Sequence, residues 1–215
     1  MFLKLRLIYR ILRISKDPNR TEDILKLGAI FRESADRRQK ERFEKFLLSD
    51  SNFASLYTKL GKQRDGATYN ISQLMKSPQN SLGYQYANMM TNKNLDPQFY
   101  GHFEVKDPFS LFGLRLRKTH DIWHVLTGFD TDVPGELGLQ TFVLAQIEYP
   151  FTFAIILGGL LHLFRSQKWE LLIPAMEQIS KGFISGRRAK KIFGIYWEDF
   201  WSEDLGSIRQ RYLIS

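Results

Sequence analysis

The sequence predicts an all-α chain: a single-domain multi-helix bundle over residues 1–215, with a metal-ligand motif spanning two adjacent helices. Three observations predict it. Apolar residues recur at helical spacing in one segment after another, strand-like alternation is nearly absent, and no Pro/Gly/Ser-rich linker marks a second domain. A chain of this length can bury a core of its own. With 43% hydrophobic residues and seventeen Phe against 25% charged residues, the composition is that of a globular protein and not of a disordered one. The absence of cysteine excludes a disulfide framework and a thiolate metal site, so a metal would have to be held by imidazole and carboxylate.

The elements follow in order. In "MFLKLRLIYRILRIS", Leu3, Leu7, Ile11 and Ile14 fall at helical spacing while Arg6, Arg10 and Arg13 take the opposite face. This is a basic amphipathic helix over residues 1–16. Three roles compete for it: a helix docked on the protein's own core, an interfacial membrane helix, and a targeting peptide. It lacks the apolar stretch and small-residue cleavage site of a secretory signal and is short for a transit peptide, so it is read as part of the fold. From Thr21 to Leu60 the apolar residues Ile24 to Phe31, Phe43 to Leu47 and Phe53 to Leu60 mark three helices. "GKQRDGATYN" reads as a loop, and "KSPQNSLGYQYANMM" as a Pro-marked turn entering a short helix with Tyr84 and Tyr86. "NLDPQFYGHFEVKDPFSLFG", with two Asp-Pro pairs, reads as an irregular packed segment. A helix is placed over residues 118–127. The apolar "LGLQTFVLAQIEYPFTFAIILGGLLHLF" has an unbroken core, Phe153 to Leu161, about half of the roughly 20 residues a membrane span needs. A buried helix, or one lining a lipid pocket, is the better reading. The C-terminal stretch reads as another helix, a glycine-marked joint and a shorter helix rich in Trp and Tyr.

The charge balance, 31 Lys and Arg against 23 Asp and Glu with a net charge of +8, favours an anionic partner: a membrane surface or a phosphate group. No zinc-finger, RRM or KH signature is present, and the basic residues are scattered apart from "RRQKER" and "GRRAKK", so no nucleic-acid partner is expected.

The stretch "HDIWHVLTGFDTDVPGE", residues 120–136, holds two of the chain's four histidines. On a helix, His120 and His124 lie one above the other, and Asp121 shares the same arc of about 100°. Two imidazoles four residues apart can grip one cation, and the neighbouring carboxylate can add charge or orient a ligand. Thr131 or Asp132 can cap a new helix with Pro134 in its opening turn, which places Glu136 at its start, able to face the histidines. The resulting N/O set suits zinc, iron(II) or manganese. As bare residues, the same pattern is equally a polar patch on a helix. His102, between Gly101 and Phe103, reads as a loop residue, and His162 as a core or pocket histidine.

"THDIWHVLTGFDTDVPGE" resembles the signature of the coenzyme Q biosynthesis protein four family: His-Asp-x-x-His, eleven residues, then Glu. Further likeness lies in "SLGYQYA", "AQIEYPF", "GRRAKKIF", "YWEDFW" and "RQRYLI", and extends from about Leu74 to the C-terminus. The resemblance implies an all-helical, peripherally membrane-associated protein that handles polyprenylated aromatic precursors of ubiquinone. It implies a divalent ion on His120, Asp121, His124 and Glu136, zinc foremost, with magnesium, manganese or iron as alternatives. It also implies other quinone-biosynthesis enzymes as partners, and a homodimer is expected. The lack of a convincing mitochondrial presequence suggests a bacterial relative, cytoplasmic and peripheral to the membrane; a eukaryotic one would sit on the matrix side of the mitochondrial inner membrane. Lipid-binding residues are expected at Tyr84, Tyr86, Phe142, Phe151 and Ile155. They would line an apolar pocket drawn from residues 137–164 and from the aromatics Tyr84, Tyr86, Phe99 and Tyr100. Three functions compete: oxidative decarboxylation of a prenylated hydroxybenzoate, non-catalytic presentation of a prenylated intermediate to partner enzymes, and metal-dependent hydrolysis of prenyl phosphates. No residue is singled out as catalytic.

Overall fold

The computed structural model describes residues 2–18, 21–60, 69–97, 105–147 and 149–214, and its regular structure is helical throughout. In chain order the helices are α1 (Phe2–Lys16), α2 (Thr21–Ser34), α3 (Arg37–Ser49), α4 (Ser51–Leu60), α5 (Ile71–Leu74), α6 (Leu82–Asn92), α7 (Pro108–Thr127), α8 (Val133–Ile147), α9 (Pro150–Arg165), α10 (Leu172–Arg188) and α11 (Leu205–Tyr212), with 3₁₀ turns at Trp169–Leu171 and Trp197–Phe200. Among the described residues, strand-like pairing is limited to an isolated bridge between Ser81 and Asp204. The chain forms two compact units, residues 1–39 with 129–188 and residues 40–128 with 189–215.

In the first unit α9 sits between two layers. One side packs on α1 and α2 through Ile14, Leu27 and Ala154, with Ile11, Ile24, Phe31 and Phe151 around them. The other side packs on α8 and α10 through Leu137, Ile156, Leu163 and Ala175. The adjacent glycines of "LGGL" serve the two sides in turn: a Cβ on Gly158 would lie 2.9 Å from Ile14, and one on Gly159 2.8 Å from Leu137. The α8–α10 crossing is closer still, because a Cβ on Gly182 would fall on the Gly138 carbonyl oxygen. Gln146 Nε2 donates to the Gly186 carbonyl at 2.8 Å, so a buried amide is satisfied there instead of left orphaned.

The amphipathic reading of α1 is right about its apolar face, where Ile14 is buried, and is corrected for its arginines, since Arg10 and Arg13 do not lie opposite that face but bond the buried Asp23 of α2 at 2.5 and 3.3 Å. It omits an outer face, where Leu5, Ile8, Tyr9 and Leu12 are 55%, 53%, 53% and 43% exposed. These four fall within about 100° of one another, on a second apolar stripe away from the first.

The second unit has an aromatic core. Phe43 meets Phe109 and Phe112 edge-on at 5.1 and 5.3 Å, Phe193 contacts both Phe46 and Phe53, and Trp197 and Trp123 are fully buried. The motif "SLGYQYA" is explained by packing: Ser81 caps α6, and a Cβ on Gly83 would stand 2.7 Å from the Trp201 carbonyl oxygen. Three predicted helices between Thr21 and Leu60 form as α2, α3 and α4.

Three expectations are corrected. The second Asp-Pro pair does not belong to an irregular segment: Asp107 caps α7 in a reciprocal box with Ser110 and Pro108 takes the first helical position, so the helix starts ten residues before the predicted 118 and runs for 20 residues. The long apolar stretch is two helices, broken at Tyr149–Pro150. The Trp-rich C-terminal piece is a 3₁₀ turn at Trp197–Phe200 followed by the separate α11. Of the predicted loop over 61–70, residues 61–68 lie outside the described residues, as do Phe99, Tyr100 and His102. Among the described residues no helix is long and apolar enough to cross a membrane.

Candidate metal centre

The two histidines stand near the end of α7. His124 is 2% exposed and His120 half-buried, and their rings lie 4.8 Å apart between centroids, inclined by 61°. Asp121 Oδ1 approaches His120 Nδ1 at 3.4 Å. A proton on Nδ1 directed at that carboxylate would make Nε2 the ring nitrogen with the lone pair a cation needs.

The helix that carries these side chains is defined at both ends. At its start Asp107 Oδ1 accepts the Ser110 N–H at 2.6 Å, and Ser110 Oγ accepts the Asp107 N–H at 2.9 Å. At its end Gly128, at φ 75°, adopts the left-handed conformation that favours glycine and returns its N–H to the His124 carbonyl at 2.8 Å. Arg209 of α11 takes the next two carbonyls, with Nε on Leu126 and Nη2 on Val125, both at 2.9 Å. The final turn of α7 therefore has bonding partners for carbonyls that a helix end would leave bare.

Glu136 stands in the first turn of α8, as the capping argument predicts. Asp132 Oδ1 accepts the Gly135 N–H at 2.8 Å, and the Glu136 N–H bonds the Asp132 carbonyl at 2.8 Å. Gly135 is required by space, since a Cβ there would fall on the Asp130 carbonyl oxygen. His120, His124 and Glu136 each offer a ligand atom, and these atoms lie within 4.8 Å of one another. Donors bind zinc at about 2.0–2.2 Å, which puts two ligands of one ion at most roughly 4.4 Å apart, so atoms at the wide end of that spread must close in to share a cation. Two imidazoles and one carboxylate form a three-donor set with room for a further oxygen ligand, and the residue types fit zinc, manganese or iron(II). Asp121 is not one of that group of three and lies beside His120.

The residues expected to bind lipid are distributed. Tyr84 and Tyr86 are on α6, where Tyr84 is half-buried and Tyr86, 1% exposed, packs on Tyr69 and Trp201. Phe142 on α8 is 0% exposed. Phe151 and Ile155 on α9 are half-buried beside α2, where Phe151 meets the Phe31 ring edge-on at 6.2 Å. His162 has a packing role: its Nδ1 lies 3.2 Å from the Ser15 carbonyl of α1.

Sequence reasoning missed a polar network braced on α7. Arg115, 2% exposed, is held bidentate by Glu198 at 2.7 and 2.8 Å, Tyr69 Oη donates to Glu198 at 2.7 Å, and the guanidinium lies 5.1 Å from the Tyr196 ring centroid. Burial works to raise the Glu198 carboxyl, but the Arg115 hydrogen bonds and charge, with the Tyr69 hydroxyl, outweigh it and hold it below the usual glutamate range. Burial pushes the Tyr69 phenol upward. The signal for this network was present in the motif "YWEDFW", an acid enclosed by aromatics, but nothing in the sequence names its partner.

A model of the family described as coenzyme Q (ubiquinone) biosynthesis protein Coq4 matches residues 15–215. The chain is 29% identical to the mitochondrial ubiquinone biosynthesis protein COQ4 homolog of Aedes aegypti over 147 residues, covering 66% of this chain and 52% of that protein. It is 29% identical to the Rattus norvegicus homolog over 151 residues, 69% of this chain and 56% of the relative. With the mitochondrial COQ4 of Saccharomyces cerevisiae (strain AWRI1631) it shares 25% identity over 180 residues, 81% and 52% of the two chains. The chain thus spans about half the length of the curated relatives it matches. A crystal structure of a protein from Nostoc punctiforme PCC 73102, assigned to ubiquinone biosynthesis, superposes with a TM-score of 0.83 at 26% identity over 99% of this chain and 97% of that one. By its sequence match and its all-helical fold, this chain belongs to the Coq4 family of coenzyme Q (ubiquinone) biosynthesis proteins.

Proposed function

We propose that the chain acts in ubiquinone-type quinone biosynthesis by holding a divalent metal ion, zinc foremost, on His120, His124 and Glu136 with Asp121 in support, and by binding a prenylated hydroxybenzoate with its head group at that ion. The observation that carries the reading is the grouping of two imidazoles and a carboxylate within 4.8 Å. A divalent cation there supplies Lewis acidity and a template for a carboxylate or phenolate oxygen. The chain's own residues do the rest: the histidines and Glu136 fix the cation, and Asp121 orients His120. The reaction proposed for the site is oxidative decarboxylation of the ring with dioxygen as the two-electron oxidant: the ring–carboxyl bond breaks and carbon dioxide leaves, a ring–oxygen bond forms, and with one water consumed the dioxygen is balanced as hydrogen peroxide.

Membrane contact is part of the same reading. The exposed Leu5, Ile8, Tyr9 and Leu12 of α1 lie on one helix face with Lys4 and Lys16 near its ends, and the chain carries a net charge of +8. Such a face suits an anionic bilayer surface, where apolar side chains enter the interface and lysines meet lipid phosphates. From there a prenylated precursor could be taken up and passed to other quinone-biosynthesis enzymes, and a homodimer is the proposed assembly. The relatives' names place them in mitochondria, and peripheral membrane attachment is proposed for this chain.

The test is turnover: metal-loaded protein, incubated with a prenylated hydroxybenzoate labelled at the ring carboxyl under air, should release labelled carbon dioxide. Stoichiometric substrate binding without release would instead assign the chain the presenting role. Release of inorganic phosphate from prenyl phosphates would assign it the hydrolytic one.

A further inference from the structure

The motif "RQRYLI" has no part in the metal reading, yet Arg209 within it touches the helix that carries both histidines. Its guanidinium donates to the carbonyls of Val125 and Leu126, the two residues after His124, at 2.9 Å each. It also lies 3.6 Å from the position a Cβ would take on Gly128, so the missing side chain there leaves room for its close approach. Arg209 is itself held in place. Its helix α11 is capped by Asp204, whose carboxylate accepts the Ser207 N–H at 2.7 Å and the Asn80 amide at 2.7 Å, and the Leu205 N–H bonds the Asn80 carbonyl at 2.8 Å. The start of α6, the start of α11 and the end of α7 thus form one hydrogen-bonded frame.

We infer that Arg209 is a positioning residue for metal binding: it fastens the last turn of α7 so that His124 stays in register with His120. The inference rests on the metal reading of the preceding subsection. Three physical effects support it. Helix ends fray where their last carbonyls lack partners, and His124 lies within that last turn. A cation at a helix C-terminus meets the negative end of the helix dipole. A planar guanidinium presents its N–H groups to two adjacent carbonyls in a fixed fork, where an ammonium on a flexible stem holds no such fixed geometry. Outer groups that orient metal ligands commonly cost about 10- to 100-fold in affinity when removed.

The experiment uses the full chain loaded with Co²⁺, reading affinity by competition with a chromophoric chelator and ligand geometry by the Co²⁺ visible spectrum, well below the unfolding temperature. Arg209→Gln should bind Co²⁺ about 10- to 100-fold more weakly, with an altered spectrum and wild-type far-UV circular dichroism. Arg209→Lys should fall between it and wild type. Arg211→Gln, which removes a guanidinium paired with Glu203 on the same helix, should bind as wild type does. Wild-type affinity and spectrum in Arg209→Gln would overturn the inference. Should that variant fail to fold, Arg209→Lys decides: a lowered melting temperature with unchanged Co²⁺ affinity makes the role structural only and overturns it equally. A wild-type chain that binds no stoichiometric Co²⁺ or Zn²⁺ overturns the metal reading itself, an outcome visible before any variant is compared.

Discussion

At the scale of single residues, two sites in the chain depend on partners chosen by chemistry, and each makes a prediction. Replacing His120 or His124 by Ala leaves one imidazole and one carboxylate, too few donors for tight binding at neutral pH. Elemental analysis of the purified variants should show stoichiometric divalent metal lost in both, with far-UV circular dichroism unchanged because the core stands without the ion; retained metal in both would refute the ligand assignment. The second site is Glu198, which neutralises Arg115 where both side chains are under 10% exposed. Glu198→Gln leaves a buried guanidinium without its charge partner, a change that typically costs about 3–5 kcal/mol, to be read as a lower urea midpoint. The same pair sets an acid limit. With its folded pKa held below the unfolded glutamate value of about 4.3, Glu198 contributes stability that is fully present above that value and is lost as pH falls through the folded one. Stability measured from pH 6 to 3 should therefore fall more steeply in the wild type than in Glu198→Gln.

At the scale of elements, α1 shows how one helix can carry two apolar faces with different uses. The inner face is committed to α2 and α9, where Ile14 is 1% exposed. The outer face contributes little to folding, so a Leu5→Ser, Ile8→Ser, Leu12→Ser triple variant should lower the melting temperature by no more than about 6 °C, since exposed substitutions usually change stability by under about 0.5 kcal/mol each. If that face docks on lipid, the variant should lose co-sedimentation with vesicles containing anionic phospholipid. Undiminished sedimentation would remove α1 as the membrane-facing element. Among the other elements, α7 was legible at its centre and not at its start. Apolar spacing identifies a helix around the histidines, but "DP" is also a turn signal, and only the reciprocal bond between Asp107 and Ser110 turns it into a cap.

At the scale of the whole molecule, the proposed ligand sets the test. A prenyl tail buried on apolar protein surface contributes on the order of 25 cal/mol per Å², so affinity should rise with each isoprene unit until the available surface is filled. Titration with fluorescent prenyl compounds of increasing length should saturate at one per chain and show markedly weaker binding for short tails. Affinity independent of length would exclude burial of the tail and favour a small soluble substrate.

The sequence by itself determined the helical class, because apolar periodicity is a local property that each segment carries within itself. It also determined the candidate ligands. His120 and His124 share a helix face by spacing alone, and "TDVPGE" contains its own cap, so Glu136 at a helix start is written within six residues. The tertiary structure decided what long-range pairing decides. Glu198 lies 83 residues from Arg115, Arg209 lies 83 residues from Leu126, and no local pattern joins them. The glycines behave in the same way: Gly182 lies inside α10, where glycine is unfavourable, and only the Gly138 backbone against it gives the reason for a missing side chain. The outer face of α1 belongs here too, since which of two apolar stripes is buried depends on Asp23 of α2 holding Arg10 and Arg13, a contact between helices that spacing along one helix does not contain.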